Sequence, residues 1–305
     1  MRPEISQALL TNPGIGFIAA PELMDAEPNA PRDSRGQIVA PYKFTPDGRT
    51  WNHPDSGVLF CSCRWKDIEP LQGTYDWRCL EEKLDAAAAL GCTCIVRISP
   101  YALSAQEDIP AWLRMRYPEE PEFPFWRIDP NTTEYPRLWA ALIRDFAARY
   151  DGDPRITSVD MAIVGAWGEG GGTENMEENA MKTVIAAYME GFPHTPLTAL
   201  LHDPKSLACI RAFPKQVGFR VDCLGDMGGF HGDRWSHMLD FYPENIQNFQ
   251  MGDAWQEAPV VFEACWHMND WYLQGWDIDY IIDESLKWHI SSYNSKGTTV
   301  PEAWK

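Results

Sequence analysis

Eight short apolar runs recur along this chain, and stretches with helical periodicity separate them. The runs are GIGFIA (14–19), GVLFCSC (57–63), CTCIVRI (92–98), ITSVDMAIVGAW (156–167), PLTALL (196–201), VGFRVDCL (217–224), PVVFEACW (259–266) and WHISSYN (288–294). Several are apolar at successive positions instead of alternating, which suits parallel strands covered on both faces. Between them, Leu138, Trp139, Leu142, Ile143, Phe146 and Tyr150 form one apolar stripe over 135–150. Met181, Val184, Ile185 and Tyr188 do the same over 178–190. Segment 79–90 places Leu80, Leu84 and Ala87 on one face and stops at Gly91; Asp279 to Trp288 reads as a further short helix. This alternation predicts a (β/α)8 TIM barrel. A doubly wound sheet would want a Gly-rich phosphate loop and a helix after its first strand, and no helical pattern follows GIGF.

Connection lengths orient the barrel. Helix-to-strand links are short (Gly91, 151–155, 191–195, 214–216), whereas the strand-to-helix links 20–56, 99–133, 225–256 and 267–278 are long. Long loops in a compact domain are usually functional, and barrel sites form at the strand C-termini. The 305 residues fit one barrel domain spanning 1–305. After the eighth run the sequence reads NSKGTTVPEAWK, where an eighth helix is expected to begin. A missing or truncated eighth helix would leave an apolar flank uncovered. The expectation is therefore either a longer protein of which this is the N-terminal part, or a partner over the gap.

Charge narrows the ligand. With 44 acidic against 26 basic residues the net charge is −18, which argues against nucleic acid, an anionic membrane surface or a polyanionic substrate. A neutral substrate fits best. No apolar stretch reaches the roughly 20 residues of a membrane helix, and MRPEISQALLTNPGIGF lacks the basic start and apolar core of a signal peptide. That leaves an intracellular protein, or one whose signal has been removed. Cys61 with Cys63, and Cys92 with Cys94, are spaced to share a strand face, and no CxxC occurs, so the eight cysteines read as buried free thiols. Their usage leans toward a reducing compartment. The seven histidines contain no HxH or HExxH, and no Gly-x-Ser-x-Gly elbow occurs. Neither a metal nor another cofactor is expected.

Two glutamates stand out. Glu169 lies in AIVGAWGEGGG at the end of the fourth run, and Glu263 lies within PVVFEACW. A carboxylate in or just after an apolar strand is costly unless paired or used. Strands four and seven face each other across a barrel mouth, so the pair could flank a scissile glycosidic bond. One carboxyl would protonate the leaving oxygen; the other would attack the anomeric carbon or activate water. The structural alternatives are a buried salt bridge for Glu263 and a solvated Gly-rich turn for Glu169.

The segment RWKDIEPLQGTYDW (64–77), followed by a helix and GCTCIVRISP, resembles the W-x-x-I-E-P-x-x-G-x-Y-x-[FW] stretch of clan A glycoside hydrolases, in particular the β-galactosidase-like barrels. NPGIGF and SSYNSKGTTVPEAW resemble a related group of uncharacterised bacterial barrels. In clan A the acid/base Glu ends strand four and the nucleophile Glu ends strand seven. The resemblance therefore implies Glu169 as acid/base, Glu263 as nucleophile and retention of configuration. It departs at Gly168, where clan A usually carries the Asn that binds the sugar 2-hydroxyl. Glu69, inside the IEP motif, reads as structural.

Further candidates gather at strand ends. Arg64, by the resemblance, would support the nucleophile's charge; an ordinary rim salt bridge explains it equally well, and Arg97 is similar. His202, Asp203, Asp222, Asp226, Asn294 and Lys296 could meet sugar hydroxyls, although a helix N-cap explains Asp203 before Pro204. Of the 14 tryptophans, Trp112, Trp126, Trp167, Trp235, Trp266, Trp271 and Trp276 fall at or after strand ends, where indoles could stack on sugar rings. A retaining glycosidase is the first reading. A non-catalytic carbohydrate-binding barrel is the second, and a non-glycosidic hydrolase or lyase using the same carboxylates is the third.

Overall fold

The computed structural model describes residues 14–19, 57–100, 109–116, 129–165, 168–228, 236–266 and 268–294. In chain order these contain β1 (Gly16–Ala19), β2 (Val58–Arg64), α1 (Trp65–Ile68), α2 (Arg78–Ala89), β3 (Thr93–Ser99), α3 (Ala111–Arg114), α4 (Glu134–Tyr150), β4 (Ile156–Asp160) and α5 (Glu178–Gly191). They continue with β5 (Leu197–Leu200), α6 (Pro204–Ile210), β6 (Gly218–Leu224), α7 (Tyr242–Asn248), β7 (Val260–Ala264), α8 (Met268–Gln274), α9 (Ile278–Lys287) and β8 (Ser292–Asn294). The strands pair in parallel in sequence order and close, β8 on β1, into the expected (β/α)8 barrel.

The outer strand faces and the helices share one core. Trp65 packs on Trp139 at 5.1 Å, Trp77 stacks on Phe146 at 5.2 Å, and Phe146 meets Phe192 at 5.0 Å. These are the apolar stripes of α4 and its neighbours, as helical periodicity requires. Gly91 takes φ +71° after α2, and the Cys92 N–H reaches back to the Ala87 carbonyl, which ends the helix as expected. The eight cysteines are thiols, and Cys61 and Cys94 place their Sγ atoms 2.8 Å apart on neighbouring strands.

Inside the barrel the register brings every second residue to the axis. Ile18, Val58, Ile95 and Val261, with Phe60 packed against them, form a small apolar plug separate from the main core. Above it the interior turns ionic.

Three expectations are corrected. β4 ends at Asp160, not at Trp167, because the chain leaves the ladder after Met161. The backbone groups it exposes are satisfied by aromatic side chains: Trp139 Nε1 donates to the Ala162 carbonyl at 2.9 Å, and the Tyr135 hydroxyl donates to the Ile163 carbonyl at 2.7 Å. β8 is confined to 292–294, since Trp288 caps α9 and His289 turns through φ +56°. The link 99–133 contains α3, and the links 225–256 and 267–278 hold α7 and α8, so each of these links carries a short helix.

Phe17 and Tyr293, on the outer faces of β1 and β8, line an apolar groove of about 570 Å³ with Ile281, Ile282, Leu286 and Ile290. The segment expected to begin an eighth helix lies outside the described residues. Among those described, no helix is long and apolar enough to cross a membrane.

Candidate active site

At the C-terminal end of the barrel, charges from three strands interlock. Arg97 on β3 points inward over the Phe60 ring, 4.8 Å from its centroid, and bonds Asp160 on β4 through Nε at 2.7 Å and Nη2 at 2.6 Å. Arg220 on β6 takes the other Asp160 oxygen through Nε at 2.9 Å, bonds Asp222 through Nη1, and donates through Nη2 to the Gly168 carbonyl at 2.6 Å. All five groups are buried or nearly so, and a guanidinium's fork of donors is suited to joining three acceptors at once. Burial alone would lower the Arg220 pKa, but Asp160, Asp222 and Glu169 together hold it above the ordinary arginine value. Burial would raise Asp222; Arg220, His202 and Arg97 outweigh it and leave this carboxyl below the usual range.

Glu169 stands on this platform. It does not end a strand: it sits nine residues past Asp160 on a glycine-rich turn that folds back on itself. The Gly170 N–H reaches the Val164 carbonyl at 3.1 Å, and a Cβ at Gly165 (φ +99°) would lie 2.5 Å from the Gly171 nitrogen. Glycine is required there. Burial, then the negative charges of Asp222 and Glu263, push the Glu169 pKa up to about 7, against opposing effects of Arg220 and Arg97.

Glu263 points inward from β7, in register with Asn294 on β8, and accepts a hydrogen bond from Asn294 Nδ2 at 3.2 Å. The fold thus brings the Glu263 charge close enough to raise the Glu169 pKa, and it places Asn294 beside Glu263.

Gly168 explains the departure from the clan A pattern. Its φ is +77°, and a Cβ there would come 2.7 Å from the Ala162 Cβ and 3.1 Å from the Arg97 Cδ. Asn tolerates a left-handed backbone better than most residues, so contact dominates the cost. Gly168→Asn is expected to destabilise the fold by about 1–3 kcal/mol in urea unfolding, as overpacking does. An unchanged midpoint would show that the turn yields.

The remaining candidates divide. His202, at the end of β5, has Nε2 3.9 Å from Asp222 Oδ2, and burial lowers its pKa against the pull of Asp222. Asp226 is buried and taken up by its own loop, accepting from His237 Nδ1 at 2.6 Å and from the His237 and Gly228 amides. Arg64 lies at the rim, 46% exposed and 3.8 Å from Asp67, the geometry of a rim salt bridge. Trp271 is 1% exposed, and its Nε1 donates to the Cys265 carbonyl, so it is a packing residue beneath the site and not a sugar platform. Trp266 is 38% exposed, takes φ +49° straight after β7, and stacks on Trp276 with ring centroids 6.3 Å apart. A bulky residue in that region marks strain held by its surroundings. Trp112 donates to the Glu69 carbonyl, and the Glu69 carboxylate is bound by Trp65 Nε1 and the Gly73 amide, the structural role expected of it. Asp203 caps α6 through the Ser206 amide. Trp126, Trp167, Trp235 and Lys296 lie outside the described residues. Among those described, no three His, Cys, Asp or Glu side chains converge as a metal site.

Sequence reasoning missed Asp160 and Arg220. Their signal was a charge at an inward strand position, in SVD and FRV, but their partners lie about sixty residues away.

Known proteins fit this picture. Residues 56–161, from β2 to β4, match the family model described as Beta-galactosidase among the glycoside hydrolases. No curated protein matches the chain. The catalytic domain of beta-amylase from Paenibacillus polymyxa superposes with a TM-score of 0.55 at 10% identity, covering 82% of this chain and 89% of that one. Xylanase 10B from Thermotoga petrophila RKU-1, in complex with xylobiose, superposes at 0.51 with 12% identity, covering 92% and 81%. These likenesses speak for the fold, and the 56–161 match for the sequence. The chain has a (β/α)8 fold, and its residues 56–161, from the second to the fourth strand, are similar to the family described as Beta-galactosidase.

Proposed function

We propose that this protein is a glycosidase acting on a neutral glycan or glycoside by a retaining mechanism, with Glu169 as acid/base and Glu263 as nucleophile. The observation that carries the proposal is the difference between the two carboxyls. Glu169, buried beside Asp222 and Glu263, holds its proton to about pH 7, while Glu263 receives the Asn294 amide as an acceptor. Paired carboxyls with different environments are how a site separates acid from nucleophile. In the first step Glu263 attacks the anomeric carbon, the glycosidic C–O bond breaks, and the Glu169 proton goes to the leaving oxygen. In the second, Glu169 takes a proton from water, the water oxygen attacks the anomeric carbon, and the bond to Glu263 breaks. Trp266, exposed at the end of β7, offers a face to a sugar ring. A net charge of −18 favours an uncharged substrate.

Screening nitrophenyl glycosides, beginning with the β-galactoside, tests the activity, and proton NMR of the first product anomer tests retention. An inverted first product would remove Glu263 as nucleophile. Activity should fall as pH rises past about 7, where the acid form of Glu169 is lost; a basic limb well above that would exclude Glu169 as the acid. Gly168 in the place of Asn favours a second reading, a barrel that binds carbohydrate without cleaving it. Saturable binding of the same glycosides without product would establish it.

A further inference from the structure

His202 lies two residues past β5 and Asp222 lies on the inner face of β6, both against the turn that carries Glu169. Two of their atoms, His202 Nδ1 and Asp222 Oδ2, are buried without a hydrogen-bond partner among the described residues. Unsatisfied buried polar groups are rare, and each calls for a reason. Asp222 cannot turn to find a partner, because Arg220 holds its other oxygen.

The chemistry of the pair follows from its neighbours. Burial and the nearby cations Arg220 and, when protonated, His237 keep the His202 ring neutral, with Asp222 opposing. Nε2 faces the Asp222 carboxylate at 3.9 Å, and the Glu169 main-chain carbonyl also draws the ring's proton. Both neighbours are acceptors, so the single proton belongs on Nε2 and leaves Nδ1 as an acceptor. Asp222, ionised beside Arg220, is an acceptor as well. The pair therefore presents two acceptors, His202 Nδ1 and Asp222 Oδ2, with no donor within hydrogen-bond distance of either among the described residues, next to the acid/base candidate.

We propose that His202 Nδ1 and Asp222 Oδ2 together accept protons from two adjacent hydroxyls of the sugar ring, so that the substrate class is a sugar with a free vicinal diol at this face. The proposal rests on the glycosidase reading of the site. It makes both hydroxyls obligatory, because removing either strands a buried acceptor, and sites built to bond a hydroxyl reject the analogue lacking it. It also excludes sugars acylated at either position.

The test uses the whole chain labelled with nitrogen-15 at histidine, with methyl β-D-galactoside, glucoside, xyloside and mannoside as probes. Nitrogen NMR should show His202 protonated on Nε2, and the Nδ1 signal should move when a glycoside binds. Deoxygenation of the bound glycoside at each of two neighbouring carbons should weaken binding by about 100-fold. In Asp222→Asn the sensitivity to one of those deoxygenations should disappear, and in His202→Ala the sensitivity to the other. A proton on Nδ1, a glycoside that binds without moving the Nδ1 signal, or sensitivity at non-adjacent carbons would overturn the proposal and leave the glycosidase reading standing. If none of the four glycosides perturbs the indole signals at the barrel mouth, the glycosidase reading falls and takes this one with it.

Discussion

Glu263→Gln is expected to lower kcat on an aryl glycoside by on the order of 10⁴-fold or more, as loss of a covalent nucleophile does elsewhere. Gln keeps the shape of Glu and can still meet the Asn294 amide, so the fold should be unchanged by circular dichroism. Glu169→Gln should behave differently. It removes a proton donor, worth about 10²–10⁴ in rate, and the loss should shrink as the leaving group improves. A nitrophenyl leaving group needs little protonic help, so bond cleavage should survive there and fail on an alkyl glycoside. The contrast separates the roles: equal losses on both substrates in both variants would mean that neither assignment holds. Hydrolysis surviving in both variants would end the two-carboxylate mechanism.

The same change at Glu169 should also raise stability. Its folded pKa, about 7, lies above the ordinary glutamate value of 4.5, so between those values the folded state binds more protons than the unfolded state. Stability conferred by the site is fully present below about pH 4.5 and is lost as pH rises through 7. A shift of that size corresponds to roughly 3 kcal/mol at pH 8. Glu169→Gln should recover much of it at pH 8 and little at pH 4. Equal effects at both pH values would contradict the burial of this carboxyl.

Arg220→Met should have the largest effect on the fold. The guanidinium joins Asp160, Asp222 and the Gly168 carbonyl, and its removal leaves two buried carboxylates short of a counter-charge. Breaking a buried ion pair from one side costs about 3–5 kcal/mol, a large part of the 5–15 kcal/mol that holds a typical domain. Arg220→Lys should not rescue it, since one ammonium cannot reach three acceptors in the guanidinium's plane. Arg155 is the natural control. It also bridges three acidic residues, Glu81, Asp85 and Asp153, but with partners at the surface. Its replacement by Ala should cost about 1 kcal/mol or less. Urea unfolding of the two variants side by side measures the difference. Similar midpoints would mean that the interior network is solvated.

Much of this protein was legible in its residues, for a definable reason. Periodicity is local: the stripes at Leu138–Tyr150 and Met181–Tyr188, the continuous apolar runs and the stop at Gly91 each depend on residues within a few positions of one another. They determined the strand order and hence the closed barrel, and that topology in turn set Glu169 and Glu263 at the same mouth. The IEP turn and the Asp203 cap were readable because a capping or turn residue meets partners three or four residues away. What the sequence could not supply was any pairing between distant charges. Arg97 meets Asp160 across 63 positions, and Arg220 reaches Gly168 across 52. Whether Trp271 faced a sugar or the core, and whether Asp226 was free or held by His237, was likewise decided by packing. So was the early end of β4: its residues are apolar enough to continue, but Tyr135, Trp139 and Tyr188 take over the hydrogen bonds beyond Asp160 and let the chain turn. Hydrophobic pattern is written in neighbouring residues and fixes the scaffold. Electrostatic partnership depends on which inward positions the closed barrel brings face to face, and only the tertiary structure decides that.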